Sequence, residues 1–268
     1  MKELLREMHT WMDDYIKSFY SNDEEVQLGI SLKELHTGYV TANSRQLAEH
    51  LHLSAHDADI AEIIGLFHDV GRFAQYSIYK TFNDAESEDH ADLGVKTLDK
   101  LPFMKKLTPN DYASVQFAIK NHNKREIEPT NNETFLLLAK IIRDADKLDI
   151  YRVLEPYLLD GKAAPKFVKS SATEDVSEDF VEDFMQGRQV DYYRIRTHGD
   201  RNLVRLLWVY DINFAWTLER VVERGYVDKI TKSLLPMNDK MQQGIKRLNE
   251  YIERKCAAGD EIPSVARN

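Results

Sequence analysis

The sequence predicts an all-α fold, and three observations carry that expectation. Apolar residues recur at helical spacing, first as Leu5, Met8, Met12, Ile16 and Phe19 in a helix over residues 2 to 20. Helix-start chemistry punctuates the chain at Ser54 with Asp57, at Thr108-Pro109 and at Thr130 with Glu133. The stretch from Leu203 to Leu218 is apolar nearly all round, interrupted by Arg205, Asp211 and Asn213. It reads as a buried core helix rather than a membrane span.

The elements follow in order. Ser31 and Glu34 form a capping box for a long helix to about His52, with Leu32, Leu35, Tyr39, Val40 and Leu47 as its apolar stripe. His36 lies within that stripe. The next helix, capped by Ser54, aligns Ile60, Ile63, Ile64 and Phe67 and delivers His68 and Asp69 at its inner end, with Gly71 as its stop. Residues 74 to 87 lack a period and read as a loop covering something. A helix from about Ser87 holds His90, Gly94, Leu98 and Leu101 on one side. Thr108-Pro109-Asn110-Asp111 opens another that aligns Tyr112, Val115, Ile119 and His122.

From Thr130 a helix runs to about Leu154. Lys140, Arg143, Asp144 and Lys147 share its polar arc, whereas Asp146 falls opposite, in phase with Phe135, Ala139 and Ile142. Asp149 also points inward, but Asp146 is the better-placed carboxylate. Residues 160 to 176 read as an exposed connection, and further helices are expected at 177–186, 201–224, 226–235 and 237–256. The division expected is a helical core at 1–159 and a C-terminal helical extension at 160–268 packed on it as one globular unit.

Composition limits the function. Hydrophobic and charged fractions of 43% and 30% are those of an ordinary soluble globular protein. A formal net charge of −9 argues against a broad nucleic-acid surface but leaves room for a local basic pocket. The lone Cys256 excludes an intramolecular disulfide and a multi-cysteine zinc site, and fits a reducing cytosol. Met1 to Glu7 carries charges where a signal peptide needs an apolar run. A cytoplasmic protein without membrane association is the expectation.

Collecting the inward polar residues gives His36, His68, Asp69, His90, His122 and Asp146, delivered by five helices to apolar faces. One such histidine is ordinarily a satisfied core residue. Several together are harder to dismiss, since each unpaired buried polar group costs roughly 1–3 kcal/mol. Four imidazoles and two carboxylates suffice for two first-row metal ions, with Asp69 placed to bridge them. This donor set suits iron, manganese, zinc or nickel better than calcium or magnesium. His9, His50, His52, His56 and His198 fall on surfaces or helix ends. Arg72 has two readings, an ion pair or carbonyl contact beyond the helix end, and a fork holding an anionic substrate.

These residues resemble the HD-domain superfamily of metal-dependent phosphohydrolases over roughly residues 30 to 155. The pattern is carried by His36 in Leu35-His36-Thr37, His68-Asp69, and Asp146 in Ala145-Asp146-Lys147-Leu148. His90 and His122 match the extra histidines of the binuclear branch, which includes HD-GYP phosphodiesterases and mixed-valent di-iron oxygenases. His56-Asp57 is the same dipeptide used as helix-start chemistry, so the ordered set rather than the dipeptide is specific. HD-GYP proteins have lysine where this chain has Arg72 and a Gly-Tyr-Pro motif that this chain lacks, so the resemblance does not extend to cyclic di-GMP. It implies hydrolysis of a nucleotide or another small anionic phosphoester, with one or two divalent transition-metal ions as cofactor and Asp69 and Arg72 as catalytic residues. A di-iron oxygenase and a non-catalytic nucleotide sensor are the alternatives.

Overall fold

The structure, a computed structural model, describes residues 1–157, 175–234 and 236–261. It is helical, without a strand among the described residues. The chain divides into two compact units, Met1–Asp149 and Ile150–Asp260, and the division falls within one helix. Most of the expected 160–176 connection lies outside the described residues.

In the first unit, α1 (Lys2–Lys17) buries Leu5, Met8, Met12 and Ile16. Phe19 lies just beyond its end and packs on Phe73. α2 (Glu24–His50) starts about two turns earlier than the Ser31 box predicts. Asp23 is its cap, accepting from the Glu25 and Val26 amides, and Ser31 instead accepts from the Gln27 side chain. The buried face of α2 also departs from the expected stripe, because Leu35 and Tyr39 are exposed. Val40 and Leu47 are buried with the small residues Thr37, Thr41 and Ser44. Small residues win there because α3 (Ala55–Phe67) crosses so near that a Cβ on Gly65 would stand 2.8 Å from the Thr41 Cα. Ser54 does cap α3, accepting from the Asp57 amide.

Gly71 is not a stop. α3 ends at Phe67, His68 and Asp69 make the corner, and α4 (Val70–Tyr79) starts at once, so Gly71 sits in its first turn. A Cβ there would lie 2.2 Å from the His90 carbonyl oxygen, so glycine is what allows α4 to meet α5 (His90–Leu98). The loop expected over residues 74 to 87 is therefore helical to Tyr79. Lys80 then takes a left-handed conformation, and a single 3-10 turn spans Asp84–Glu86. α5 is capped by Asp89 and begins at His90 rather than near Ser87. α6 (Pro109–His122) has Thr108 as its cap, as the sequence predicts.

α7 (Glu133–Leu154) is capped by Asn132 rather than Thr130: the Phe135 amide donates to Asn132, whose own amide donates to Thr130. Its expected polar arc is half wrong, since Arg143 and Asp144 are buried. Arg143 donates to the carbonyls of Asn121, Lys124 and Arg125, and so satisfies the open end of α6.

The second unit holds α8 (Glu178–Met185), α9 (His198–Leu207), α10 (Ala215–Glu223), α11 (Tyr226–Ser233) and α12 (Asp239–Ala258). The single helix expected over 201–224 is two. A 3-10 turn at Trp208–Asp211 and an extended Ile212 break it. Asp260 accepts from the Ala215 and Trp216 amides, giving α10 the cap its own N-cap residue, Phe214, cannot supply. Among the described residues no helix is long and apolar enough to cross a membrane.

Candidate metal centre

α2, the α3–α4 corner, α5, α6 and α7 each bring side chains to one buried place. Asp69, at the corner, is at its middle. One carboxylate oxygen, Oδ2, lies 3.4 Å from Nε2 of both His36 and His68. The other, Oδ1, lies 3.3 Å from Nε2 of His90 and 3.7 Å from Nε2 of His122. Asp146 joins the first group, with Oδ1 3.1 Å from His36 Nε2 and 3.9 Å from His68 Nε2. The six residues singled out from sequence are thus together. His36, His68, Asp69, His90 and His122 are buried, and Asp146 keeps 16% of its side chain exposed.

The outer nitrogens explain why the inner ones converge. Each Nδ1 donates to a fixed acceptor: His36 to Asp149 at 2.6 Å, His68 to the Gly65 carbonyl at 2.8 Å, His90 to Asp84 at 2.7 Å and His122 to the Ile119 carbonyl at 2.6 Å. With Nδ1 engaged, each ring presents Nε2 inward, the arrangement by which an outer partner sets the tautomer of a ligand histidine. The Nε2 atoms of His90 and His122 are 2.9 Å apart, and those of His36 and His68 are 3.3 Å apart. Two imidazole lone pairs at such distances repel unless a proton or a cation lies between them.

The electrostatics make the same demand. Burial raises the pKa of Asp69 and Asp146, but neighbouring cationic and imidazole groups outweigh it and hold both carboxyls below the usual range. Burial lowers His68, and burial with the nearby Arg72 lowers His90 to about 4. For His36, burial and Lys33 act downward, yet hydrogen bonds to Asp146, Asp149 and Asp69 prevail and raise it to about 10. Ionised carboxylates packed beside the imidazoles of His68 and His90, which burial keeps neutral, favour positive charge at the centre. The donors therefore fit a cation, and His36, His68 and Asp69 could hold one while Asp69, His90 and His122 could hold another.

Three neighbours were not singled out from sequence. Lys33, one turn before His36, donates to Asp69 Oδ2 at 2.6 Å. Asp149 was seen pointing inward, but its role as the anchor of His36 needs the fold. Asp84 lies in the aperiodic stretch and gave no signal, although it accepts from His90, Arg72, Gln75 and Asn123. Arg72 makes the contacts of its plainer reading, an ion pair with Asp84 and a hydrogen bond to the Phe82 carbonyl. Its Nε is buried without a hydrogen-bond partner, 3.5 Å from Asp69 Oδ1. His9 and His56 lie away from this cluster, paired with Glu62 and Asp111.

No curated protein and no solved structure gives a significant match to the chain. A family does: residues 35–151 match the HD domain. HD domains are generally metal-dependent phosphohydrolases that bind divalent metals. The matched span runs from the turn holding His36 into the helix holding Asp146, and it encloses all six candidate donors, with Lys33 two residues before its start. Residues 35–151 of this chain thus match the HD domain, and the His and Asp clusters they hold are compatible with an HD metal site.

Proposed function

We propose that this HD domain is a phosphohydrolase with two divalent transition-metal ions, acting on a nucleotide or another small phosphoester. His36, His68, Asp69 and Asp146 would hold one ion, and Asp69, His90 and His122 the other. The observation that carries this reading is the division of the Asp69 carboxylate, with a histidine pair facing each oxygen. Bound there, the ions would supply an acidic water as nucleophile and positive charge for the phosphate oxygens.

The chain's own residues do the rest. Asp84 and Asp149 fix two imidazoles by their outer nitrogens, so that the donors need no reorganisation when substrate arrives. Lys33 and Arg72 are the cations beside Asp69, and an anionic phosphate entering there meets both. Arg72 serves catalysis if its fork passes from Asp84 to the phosphate, for which its geometry is suited. Phe82 stacks on Tyr76 and lies under Lys33 and Arg72, so the segment after α4 covers this side of the centre.

The test is a panel of nucleotides and phosphomonoesters assayed for phosphate release under anaerobic conditions, with iron, manganese, zinc or nickel supplied singly. Release that depends on the metal and is lost in Asp69→Ala is expected. No phosphate release in that panel, together with oxygen consumption by the iron-loaded protein in a parallel aerobic assay, would replace this reading with the oxygenase.

A further inference from the structure

Some arginines in the second unit are paired with acids, and Arg220 and Arg247 donate to backbone carbonyls. Arg194 and Arg196 bind Asp179, and Arg188 binds Asp183. Arg201 and Arg205 on α9 differ. They stand four residues apart and so share one helix face. Arg205 is 3% exposed, and its Nη1 donates to Asn202 Oδ1 at 2.6 Å. Asn202 is itself held by the Ser233 hydroxyl at 2.8 Å. The Nε of Arg201 is buried with no hydrogen-bond partner. Among the described residues no carboxylate pairs with either guanidinium.

The neighbouring acid cannot serve. Asp200 is fully committed to backbone and hydroxyl donors, accepting from the Ser177 amide and hydroxyl and from the Arg196 and Thr197 amides. The chain has 45 acidic residues against 36 lysines and arginines, so a counter-ion was readily available to it. Two guanidiniums on one helix face, one of them almost wholly buried and neither paired with an acid among the described residues, are costly unless a ligand supplies the charge. Burial and the charge of Arg201 lower Arg205 to about 10, so it still carries its proton at neutral pH.

We propose that Arg201 and Arg205 form an anion site that binds the phosphate group of a small soluble molecule. Two adjacent forks suit a dianion with several oxygens better than a carboxylate. Arg201, half-buried, opens the site to solvent, and Arg205 closes its floor. The Asn202 amide fixes the Arg205 fork in place. The site lies outside the HD domain and does not depend on the reaction proposed above.

Equilibrium dialysis of labelled inorganic phosphate against the metal-loaded full chain tests this. The parent, Asp69→Asn, Arg201→Gln and Arg205→Met are compared, with acetate as competitor. Phosphate binding should persist in Asp69→Asn and weaken about tenfold or more in Arg201→Gln, the loss expected for one charge-assisted partner. Arg201 is half-exposed, so its variant decides the matter even if Arg205→Met fails to fold. Unchanged binding in Arg201→Gln, loss of all binding in Asp69→Asn, or displacement by equimolar acetate would each overturn the proposal.

Discussion

His36 lies between three carboxylates, with Asp149 on its outer nitrogen and Asp146 and Asp69 on its inner one. In protein stripped of metal its raised pKa, about 10, means that it holds a proton on each nitrogen at neutral pH. A metal must displace the inner proton. Binding should therefore release one proton and tighten about tenfold per unit as pH rises from 6 to 9, below the pKa of His36. Calorimetry in buffers of different ionisation enthalpy measures that release, and binding indifferent to pH would contradict it. The outer partners are expected to matter nearly as much as the donors. Asp149→Asn and Asp84→Asn should each lower metal affinity about 10–100-fold, read by competition with a chelator. At this scale the centre was largely legible in sequence, because an inward polar residue breaks an apolar period. Lys33 and Asp84 were not legible. A lysine one turn along a helix looks like solvated surface, and Asp84 follows no period at all.

The helices place these residues through close approaches that sequence patterns record poorly. α2 was misjudged at its start and on its face because a capping box in mid-helix imitates a terminus, and because small residues such as Thr37, Thr41 and Ser44 share its buried face with Val40 and Leu47. Arg143 was misjudged for a similar reason, since a guanidinium that satisfies three carbonyls can be buried while looking polar. Gly71 shows how much rests on one contact. Gly71→Ala would push α4 off the His90 carbonyl and should destabilise the protein by about 3 kcal/mol. A urea midpoint within error of the parent would refute that approach. The segment after α4 is expected to act on substrate rather than on metal. Phe82→Ala frees Lys33 and Arg72 from one shared partner and should alter KM across the substrate panel while metal content stays at the parent value. Equal KM values for every substrate would remove the covering role.

At the scale of the molecule the helical class expected from sequence holds among the described residues, since period and capping signals recur in both units. The break in the strongly apolar 203–218 stretch was not readable, because the cap that permits it comes from Asp260, more than forty residues on. Unit boundaries follow packing rather than composition, and the structure divides the chain at Asp149 and Ile150. Metal bound to the folded form alone should raise its stability, so a chelator is expected to lower Tm by about 5 °C or more in the parent and to leave Asp69→Ala unmoved. The central claim, that Asp69 joins two metal positions, is tested most directly by metal-to-protein stoichiometry in the parent, Asp69→Ala, His90→Ala and His122→Ala. Two ions in the parent, one in each histidine variant and none held tightly in Asp69→Ala is the predicted result. One ion in the parent, or two retained in His90→Ala, would contradict it.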